Sequence, residues 1–262
     1  MKGDLVQSWG LNMNHKDHDE AEAFFRHADA SWWNPNCGHD NRFWLFRAQT
    51  EYVGTQLKKH VPKIDGIRAL DAGCGRGIHS QLLDQLGYKV TSFDISPKML
   101  ALTGAIVDST LVEGNLMHMP FADAAFNIVV SIGTSMHVPS VNVLMSEINR
   151  VLMPNGIAVI SMANKLSLYV LWTTKINHLL ADHQILYRRD QFTFWSFRKL
   201  LLANHFHVIS SAGFAMIPPI SLQTGWRKNI INPFTSRLLS LPFDWLLARY
   251  FGCGVTFVIC KI

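Results

Sequence analysis

Short apolar runs alternate with amphipathic stretches through the middle of the chain. The runs, four to six residues long, are residues 67–70, 89–93, 109–112, 127–131 and 157–162, and each predicts a strand. Between them, one predicted helix ends at Gly87, another begins at Ser96-Pro97, and a third covers residues 143–152. Strands that alternate with helices in this way predict βαβ units and a parallel sheet.

The two flanks of this region carry different patterns. Residues 1–60 predict an N-terminal helical segment rich in aromatic residues. Residues 61–262 predict one domain, in which residues 194–202 form a helix and residues 207–211 and 255–260 form the last two strands. An insertion at about residues 213–252 separates those strands and predicts a helical cap.

Composition narrows the class of protein. Of 262 residues, 48% are apolar and 16% are charged, which excludes an intrinsically disordered chain. The net charge is +5, but no dense run of Lys and Arg is present, which disfavours nucleic-acid binding. The abundance of Trp and Phe, together with the small number of charged residues, favours either an apolar cavity or a surface that contacts an apolar partner.

Cysteine spacing and the N-terminus predict the compartment. Cys37, Cys74, Cys253 and Cys260 lie far apart with no CxxC pair, so neither a zinc site nor a disulfide framework is expected. The first residues lack the apolar core of a signal peptide, and no run of 18 apolar residues occurs. These observations predict reduced thiols in a cytoplasmic protein.

The chemistry-bearing segment is Asp71-Ala-Gly-Cys-Gly-Arg-Gly77, between a predicted strand and a predicted helix. Glycines there permit a tight turn and close ligand approach, and the helix N-terminus offers N–H groups to a polar ligand. A plain βα turn is the alternative interpretation. Asp94 follows Gly77 by 17 residues and ends the next strand, where a carboxylate accepts ribose hydroxyls or caps a helix. The GxGxG spacing differs from the dinucleotide pattern GxGxxG, which argues against NAD.

Further motifs follow in order, namely residues 113–121 (EGNLMHMPF), 126–131 (FNIVVS) and 147–156 (EINRVLMPNG). Together with the glycine segment and Asp94, they resemble the ordered motifs of class I S-adenosylmethionine-dependent methyltransferases. The resemblance implies an α/β fold with a Rossmann-like, seven-stranded, mostly parallel sheet whose last two strands pair antiparallel at the edge. It also implies S-adenosylmethionine as the cofactor and methyl transfer as the reaction.

The resemblance implies a set of cofactor-binding residues. They are Asp71, Gly73, Gly75 and Gly77 at the methionine part, Asp94 and Ile95 at the ribose, Asn115 and Leu116 at the adenine, and Ile132 at the methionine end. Two positions depart from the family pattern, because Asn115 and Asn127 stand where aspartates are usual. An amide oxygen at Asn115 still accepts from the adenine amino group.

The flanks are similar to ubiquinone-biosynthesis O-methyltransferases, at residues 27–36 (HADASWWNPN) and 164–168 (NKLSL). In that comparison Arg47 matches an N-terminal arginine that contacts the cofactor. Gly133 and Met136 replace the two glutamates of those enzymes that precede the motif His137-Val-Pro139. The departure removes any metal or acid–base role of the glutamates, so we expect a relative without a metal site.

His137 is the predicted catalytic base, because it lies at the sheet edge where the methyl group is expected. A neutral imidazole there takes the proton of a hydroxyl as its oxygen attacks. A structural histidine bonded to the backbone is the alternative. Weaker candidates are His79, His118, Asp29 and Tyr187.

Residues 237–249 (RLLSLPFDWLLAR) are apolar on one side and have Arg at both ends. This stretch predicts a lid over an apolar acceptor, an interfacial helix in peripheral contact with a membrane, or ordinary packing. The predicted reaction is O-methylation of a small hydrophobic acceptor. The alternatives are N- or C-methylation, a membrane-associated quinone or lipid methyltransferase, and a protein that binds S-adenosylmethionine without methylating.

Overall fold

The computed structural model describes residues 26, 42–62, 64–167, 192–214, 250–252 and 254–262. Most of the predicted N-terminal segment lies outside the described residues. So do residues 237–249, for which a lid, a membrane contact or packing was predicted. The separation of residues 1–60 from a domain at 61–262 stays a prediction.

The described elements follow the predicted order of strands and helices. They are α1 (Arg42–His60), β1 (Arg68–Ala72), α2 (Ile78–Gln85), β2 (Lys89–Asp94), α3 (Pro97–Gly104), β3 (Thr110–Glu113), β4 (Phe126–Ser131), α4 (Val141–Val151), β5 (Leu152–Ala163), α5 (Phe194–Ala203), β6 (Phe206–Phe214) and β7 (Gly254–Lys261).

The described strands form one sheet in the order β3-β2-β1-β4-β5-β7-β6. Strands β1 to β5 pair in parallel, and β7 runs antiparallel to both β5 and β6. The predicted fold class, a mostly parallel seven-stranded α/β sheet with an antiparallel edge, is confirmed. Because parallel strands end at the same edge, the loops after β1, β2, β3 and β4 lie along one edge of the sheet.

Several element boundaries differ from the predictions by a few residues, and the backbone pairing accounts for three of them. The last parallel strand begins at Leu152 instead of residue 157, because Phe126 pairs with Leu152 before an irregularity in which Asn155 has φ 60°. The first strand continues to Ala72, where its pairing with β2 ends. Strand β6 extends to Phe214 because it stays paired with β7, so the insertion begins after residue 214 instead of at 213.

Successive side chains of each strand point to opposite faces of the sheet, so apolar residues form a core on each face. On one face, Ala69, Ile128 and Val159 pack with residues of α1 and α2, including Leu57 and Leu83. On the other face the strands pack against α4 and α5, through a larger cluster that includes Leu70, Val129, Ile160, Leu144, Ile148, Phe197 and Phe257. The sheet is therefore covered on both sides, as parallel sheets require.

Helix α1 also contacts the sheet through polar side chains. The Gln49 side-chain amide donates to Thr256 Oγ1 at 2.8 Å in a buried position. The Tyr52 hydroxyl lies 3.0 Å from Ser210 Oγ. These contacts and the buried Val53 and Leu57 make α1 a layer of the same core as the sheet.

Candidate functional site

The loop between β1 and α2 is folded back onto the end of β2. The Gly73 and Cys74 amides both donate to the Phe93 carbonyl, at 2.8 Å and 3.0 Å. Gly73 has φ 82°, and a Cβ at this position would lie 2.1 Å from Thr134 Cγ2. Neither the backbone conformation nor the space admits a side chain at residue 73.

Gly77 brings the start of α2 against α3. A Cβ at this residue would lie 2.9 Å from the Thr103 side chain, whose hydroxyl donates to the Gly75 carbonyl at 3.0 Å. At Gly75, by contrast, no atom of the described residues other than Gly75 and its two chain neighbours lies within 4 Å of the place a Cβ would take. The loop is packed at residues 73 and 77 and open at residue 75, which is where a ligand has room to approach the backbone.

Asp94 lies at the end of β2 and holds this loop. One carboxylate oxygen accepts from the Gly75 amide at 2.8 Å, and the other accepts from the Ser96 amide at 2.9 Å. Burial raises the pKa of Asp94, and the hydrogen bonds from Ser96, Gly75 and Ile95 counter part of this rise. The N-cap residue of α3 is Ser96, so the Asp94 carboxylate does not cap the helix itself but joins the glycine loop to the residue that begins α3. Because each oxygen has a second lone pair, it can also accept from a ligand.

The Asp71 side chain points away from the open side of the loop. It is 1% exposed and accepts a 2.6 Å hydrogen bond from Ser80 Oγ. Ser92 Oγ donates to Ser80 Oγ at 2.8 Å, and lies 2.8 Å from Ser109 Oγ. Burial raises the pKa of Asp71 to about 7. The carboxyl group of Asp71 has almost no exposed surface and anchors α2 to β1, and its expected contact with a cofactor stays a prediction.

Asn115 and Leu116 follow β3 on the same edge of the sheet. The Asn115 side-chain oxygen accepts from the Met117 amide at 2.9 Å and so forms a local turn. Leu116 Cδ1 would lie 3.5 Å from a Cβ at Gly73. Leu116 and Thr134 thus flank the first glycine of the loop from two sides.

Glu147 and Arg150 of α4 brace the segment that carries Asn115. The Arg150 guanidinium donates to the carbonyls of Met119 and Phe121, to Asp123 and to Glu147, at 2.7–2.9 Å. Glu147 also accepts from the Met119 amide at 2.8 Å, and the hydrogen bond from Arg150 lowers the pKa of Glu147. Sequence reasoning missed this role, although both residues stand in the motif at 147–156.

The loop after β4 completes the edge. Ser131 Oγ donates to the Ala72 carbonyl at 3.0 Å, which joins β4 to the start of the glycine loop. The Gly133 amide donates to Ser161 Oγ of β5 at 2.7 Å. Ile132 is partly buried against the core cluster on the α1 side of the sheet. Thr134 is the residue of this loop that packs against Gly73. Sequence reasoning did not single out Thr134.

His137 lies in a turn of the same loop. Its amide donates to the Thr134 carbonyl at 2.8 Å, and the residue is exposed. The turn places His137 in the loop after β4, on the sheet edge where the glycine loop lies. Its catalytic role stays a prediction.

Arg47 lies on the exposed surface of α1. Its side chain is 71% exposed and pairs with Glu51, one helical turn along α1, at 3.0 Å. This i,i+4 pair lies on the solvent side of the helix, and the expected contact of Arg47 with the cofactor stays a prediction.

Among the weaker candidates, His79 and His118 are described. Burial lowers the pKa of His79 to about 4, and its Nε2 atom is buried without a partner among the described residues. His118 is exposed. Asp29 and Tyr187 lie outside the described residues. Within the part of the chain that is described, no three His, Cys, Asp or Glu side chains gather in a way that could hold a metal ion.

A groove of about 540 Å³ lies at the opposite edge of the sheet, between the start of β4 and the end of β7. Its lining includes Asp123, Asn149, Arg150, His205 and Lys261. Arg150 and Lys261 already bond to backbone carbonyls there, Lys261 to those of Asn149 and Leu152. These polar groups serve the fold, so the groove does not compete with the glycine loop as the candidate site.

Comparison with known proteins identifies the central region. Residues 70–160 match the family model described as a methyltransferase domain. Over 100 residues the chain is 34% identical to the sterol 24-C-methyltransferase of Gibberella zeae, a match that covers 35% of this chain and 26% of that protein. Over 157 residues it is 25% identical to the ubiquinone biosynthesis O-methyltransferase of Rickettsia bellii, covering 58% of this chain and 65% of that protein. The matched region therefore spans between a quarter and two thirds of these relatives.

The fold has solved counterparts. The magnesium protoporphyrin IX methyltransferase from Synechocystis PCC 6803, solved with bound SAM, superposes with a TM-score of 0.62 at 16% identity. The superposition covers 96% of this chain and 100% of that chain. The resemblance to class I methyltransferases is thus confirmed for the fold and for residues 70–160. In the part of the chain that is described, no helix has the length and apolar character needed to cross a membrane.

The brace formed by Arg150 predicts a local effect of substitution. Arg150→Lys keeps the positive charge but loses the planar guanidinium group, whose several N–H donors reach two carbonyls and two carboxylates. We expect a loss of about 1–3 kcal/mol in the free energy of unfolding. We also expect amide exchange to accelerate in residues 115–121 more than elsewhere, as measured by hydrogen–deuterium exchange. Arg47→Lys, in an exposed pair, serves as the control and should cost less than about 1 kcal/mol. Unchanged exchange at residues 115–121 would contradict the brace.

Burial of Asp71 predicts a pH-dependent stability difference. Its pKa is about 7 in the folded protein and near 3.8 when unperturbed, so the folded state holds a proton that the unfolded chain releases. Stability from this group is therefore present below about pH 4 and is lost as pH rises through 7.

Asp71→Asn keeps an acceptor for Ser80 and does not titrate. We expect the free energy of unfolding of Asp71→Asn, relative to that of the native protein, to rise by a few kcal/mol between about pH 4.5 and pH 7.5. Each unit of pKa difference contributes about 1.4 kcal/mol. Urea unfolding at both pH values measures this, with the exposed Asp84→Asn as control. A difference independent of pH would show that Asp71 is ionised throughout.

Proposed function

We propose that this chain transfers a methyl group from S-adenosylmethionine to a small, apolar acceptor, with oxygen as the attacking atom. The observation that carries the proposal is the match to a methyltransferase domain over residues 70–160, which begins within β1 and ends within β5. It contains the glycine loop, Asp94 at the end of β2, and Asn115 and His137 in the loops after β3 and β4, all at one edge of the sheet. Ligands bind at this edge in open α/β folds.

The residues at this edge fit the chemistry of the proposed cofactor. The open side of Gly75 and the N-terminus of α2 suit a polar ligand that approaches the backbone. Ser96, two residues beyond Asp94, is 2% exposed, and its Oγ has no hydrogen-bond partner among the described residues. A buried hydroxyl of this kind calls for a partner, which the ribose end of a nucleoside would supply. Asp94 accepts from the ribose hydroxyls, and Leu116 provides an apolar contact near Gly73 for the adenine.

Not all of the predicted cofactor-binding residues keep that role in the proposal. Gly73, Gly75 and Gly77 shape the loop, and Asp94 with Ile95 faces the ribose. Ile132 packs into the core beside the site, and Asp71 acts through Ser80 by holding α2 in place. Arg47 is left out because it pairs with Glu51 in solvent.

The cofactor, when bound, supplies a methyl group activated by a positively charged sulfur. The protein's share is therefore to align the acceptor with that group and to exclude water. In the proposed step the carbon–sulfur bond breaks as a carbon–oxygen bond forms, and the acceptor hydroxyl loses its proton. His137 Nδ1 or Nε2 takes that proton and passes it to solvent, to which the residue is exposed.

The relatives bear on the choice of acceptor atom. The relatives include a sterol C-methyltransferase and a ubiquinone O-methyltransferase, so carbon attack is the second candidate. An activated carbon loses its proton after attack and depends less on a base at His137. The wealth of aromatic residues, 8 Trp and 16 Phe, supports an apolar acceptor in either case. Attack by nitrogen, or cofactor binding without transfer, remains for the experiments below to separate.

The role of Asp94 predicts the effect of one substitution on cofactor affinity. Asp94→Asn removes a charge-assisted acceptor and places an amide donor beside the ribose hydroxyls. We expect the dissociation constant for S-adenosylmethionine, measured by calorimetry, to rise roughly 10- to 100-fold. Asp108→Asn, an exposed aspartate on the same half of the sheet, should leave it unchanged.

Because Asp94 also accepts from the Gly75 and Ser96 amides, the folded state of the variant needs its own measurement. Thermal unfolding reports that loss separately from affinity. A variant that stays folded and binds the cofactor as tightly as the native protein would contradict the ribose contact.

The role of His137 predicts a kinetic effect without a binding effect. His137→Gln removes the base, and we expect label transfer from methyl-labelled S-adenosylmethionine into an organic extract of the source cells to slow about 100-fold. The dissociation constant for the cofactor should stay the same. His207→Gln, an exposed histidine of β6, is the control.

The outcomes separate the candidate functions. Equal transfer rates in His137→Gln and the native protein would contradict oxygen attack assisted by this base and favour carbon attack. Label confined to the aqueous phase would contradict the apolar acceptor. If the protein binds the cofactor but label enters neither phase, the result would favour the non-methylating alternative. Extracts that contain known methyl acceptors must give the same result, so that a missing acceptor is excluded as the cause.

A further inference from the structure

Helix α5 has an exposed face of mixed character. Trp195, Arg198, Lys199 and Leu202 follow the i, i+3, i+4, i+7 spacing of one helical face, and all four are exposed. Trp195 is 55% exposed and Leu202 is 51% exposed, which is unusual for large apolar side chains in a helix that already buries Phe194, Phe197 and Leu201. We call these four residues the α5 face.

Aromatic contacts fix one end of the α5 face. The Trp195 ring stacks on that of Tyr250, with centroids 4.5 Å apart and planes 8° from parallel. Phe251, next in the chain, is 37% exposed. The bridge between Asn164 and Phe192 places the start of α5 just beyond the end of β5. The Trp195 end of the face therefore lies at the sheet edge that carries the candidate site.

Charge along the chain is distributed unevenly. Residues 191–262 contain seven of the 24 Lys and Arg residues but one of the 19 acidic residues, Asp244. The first 190 residues are consequently close to neutral. Residues 192–214, which include the α5 face and β6, contain no Asp or Glu at all. The net positive charge of the protein is concentrated in the part of the sequence that supplies this face.

We propose that the α5 face docks on the surface of an anionic lipid bilayer. Trp is favoured at the boundary between headgroups and acyl chains, because its ring is apolar and its N–H is polar. Leu202 adds apolar area seven residues from Trp195, and the two cations between them attract anionic headgroups. A protein partner would need a groove that accepts both the apolar and the cationic side chains of the α5 face. A bilayer surface offers an apolar acyl layer and an anionic headgroup layer side by side.

This inference does not depend on methyl transfer. It deepens the proposed function in one respect, since a bilayer beside the Trp195 end would be a source of apolar acceptors. The test below uses vesicles with neither cofactor nor acceptor. Its failure would leave the proposed reaction untouched, and a failure of the reaction would leave this surface untouched.

The experiment is co-sedimentation of the full chain with vesicles of phosphatidylcholine alone and of phosphatidylcholine mixed with phosphatidylglycerol. We expect binding to the mixed vesicles and weak binding to the neutral ones. In Arg198→Gln/Lys199→Gln the partition coefficient should fall roughly 30-fold, as expected for two cations at an anionic surface. High ionic strength should weaken the binding of the native protein in the same direction.

Matched variants separate the α5 face from net charge and from general hydrophobicity. Lys58→Gln/Lys59→Gln removes the same charge from two exposed residues at the end of α1, and should change the partition coefficient less than about twofold. Leu202→Asn should weaken binding several-fold. Ile106→Asn, at a residue that is also 51% exposed, should not. Thermal unfolding checks that each variant is folded.

Three results would overturn the proposal. They are absence of binding to the mixed vesicles, equal losses in the α5 and α1 charge pairs, and equal losses in Leu202→Asn and Ile106→Asn. A fourth would reassign the face, namely a concentration-dependent dimer, seen by sedimentation velocity, that Leu202→Asn abolishes while vesicle binding persists.

Discussion

The hydrogen bonds from the glycine loop to the end of β2 are the constraint on which the candidate site depends. Two successive amides share the Phe93 carbonyl, and the Gly75 amide donates to Asp94 one residue later. Strand β2 is itself fixed between β1 and β3 by parallel pairing. The register of the sheet therefore sets the position of the loop, the direction of α2 and the place of the Asp94 carboxylate that accepts from the Gly75 amide.

Much of this arrangement could be predicted because its signals are local. Apolar runs of four to six residues predicted the parallel strands, and glycines at residues 73, 75 and 77 predicted a loop that only positive φ angles allow. The boundaries missed were those set by distant pairing. Strand β5 starts early because Phe126 pairs with Leu152, and β6 runs to Phe214 because β7 accompanies it.

Side-chain direction could not be predicted in the same way. Whether Asp71 faces a ligand or the core depends on Ser80 and Ser92, which come from two other elements. Arg150 bonds to the segment at residues 119–123, some thirty residues earlier in the sequence. No sequence motif indicates that these two segments are in contact. The exposure of the α5 face is of the same kind, because Trp and Leu at helical spacing more often indicate a core-facing helix.

The account's central claim is that a nucleoside cofactor binds at the carboxyl edge of the sheet, on the glycine loop. Hydrogen–deuterium exchange with and without S-adenosylmethionine tests it directly. The account predicts slower exchange at residues 73–77, 94–96 and 115–117, where backbone amides lie at that edge. No change there, or protection instead at residues 146–150 and 203–205 around the groove on the opposite edge, would contradict it.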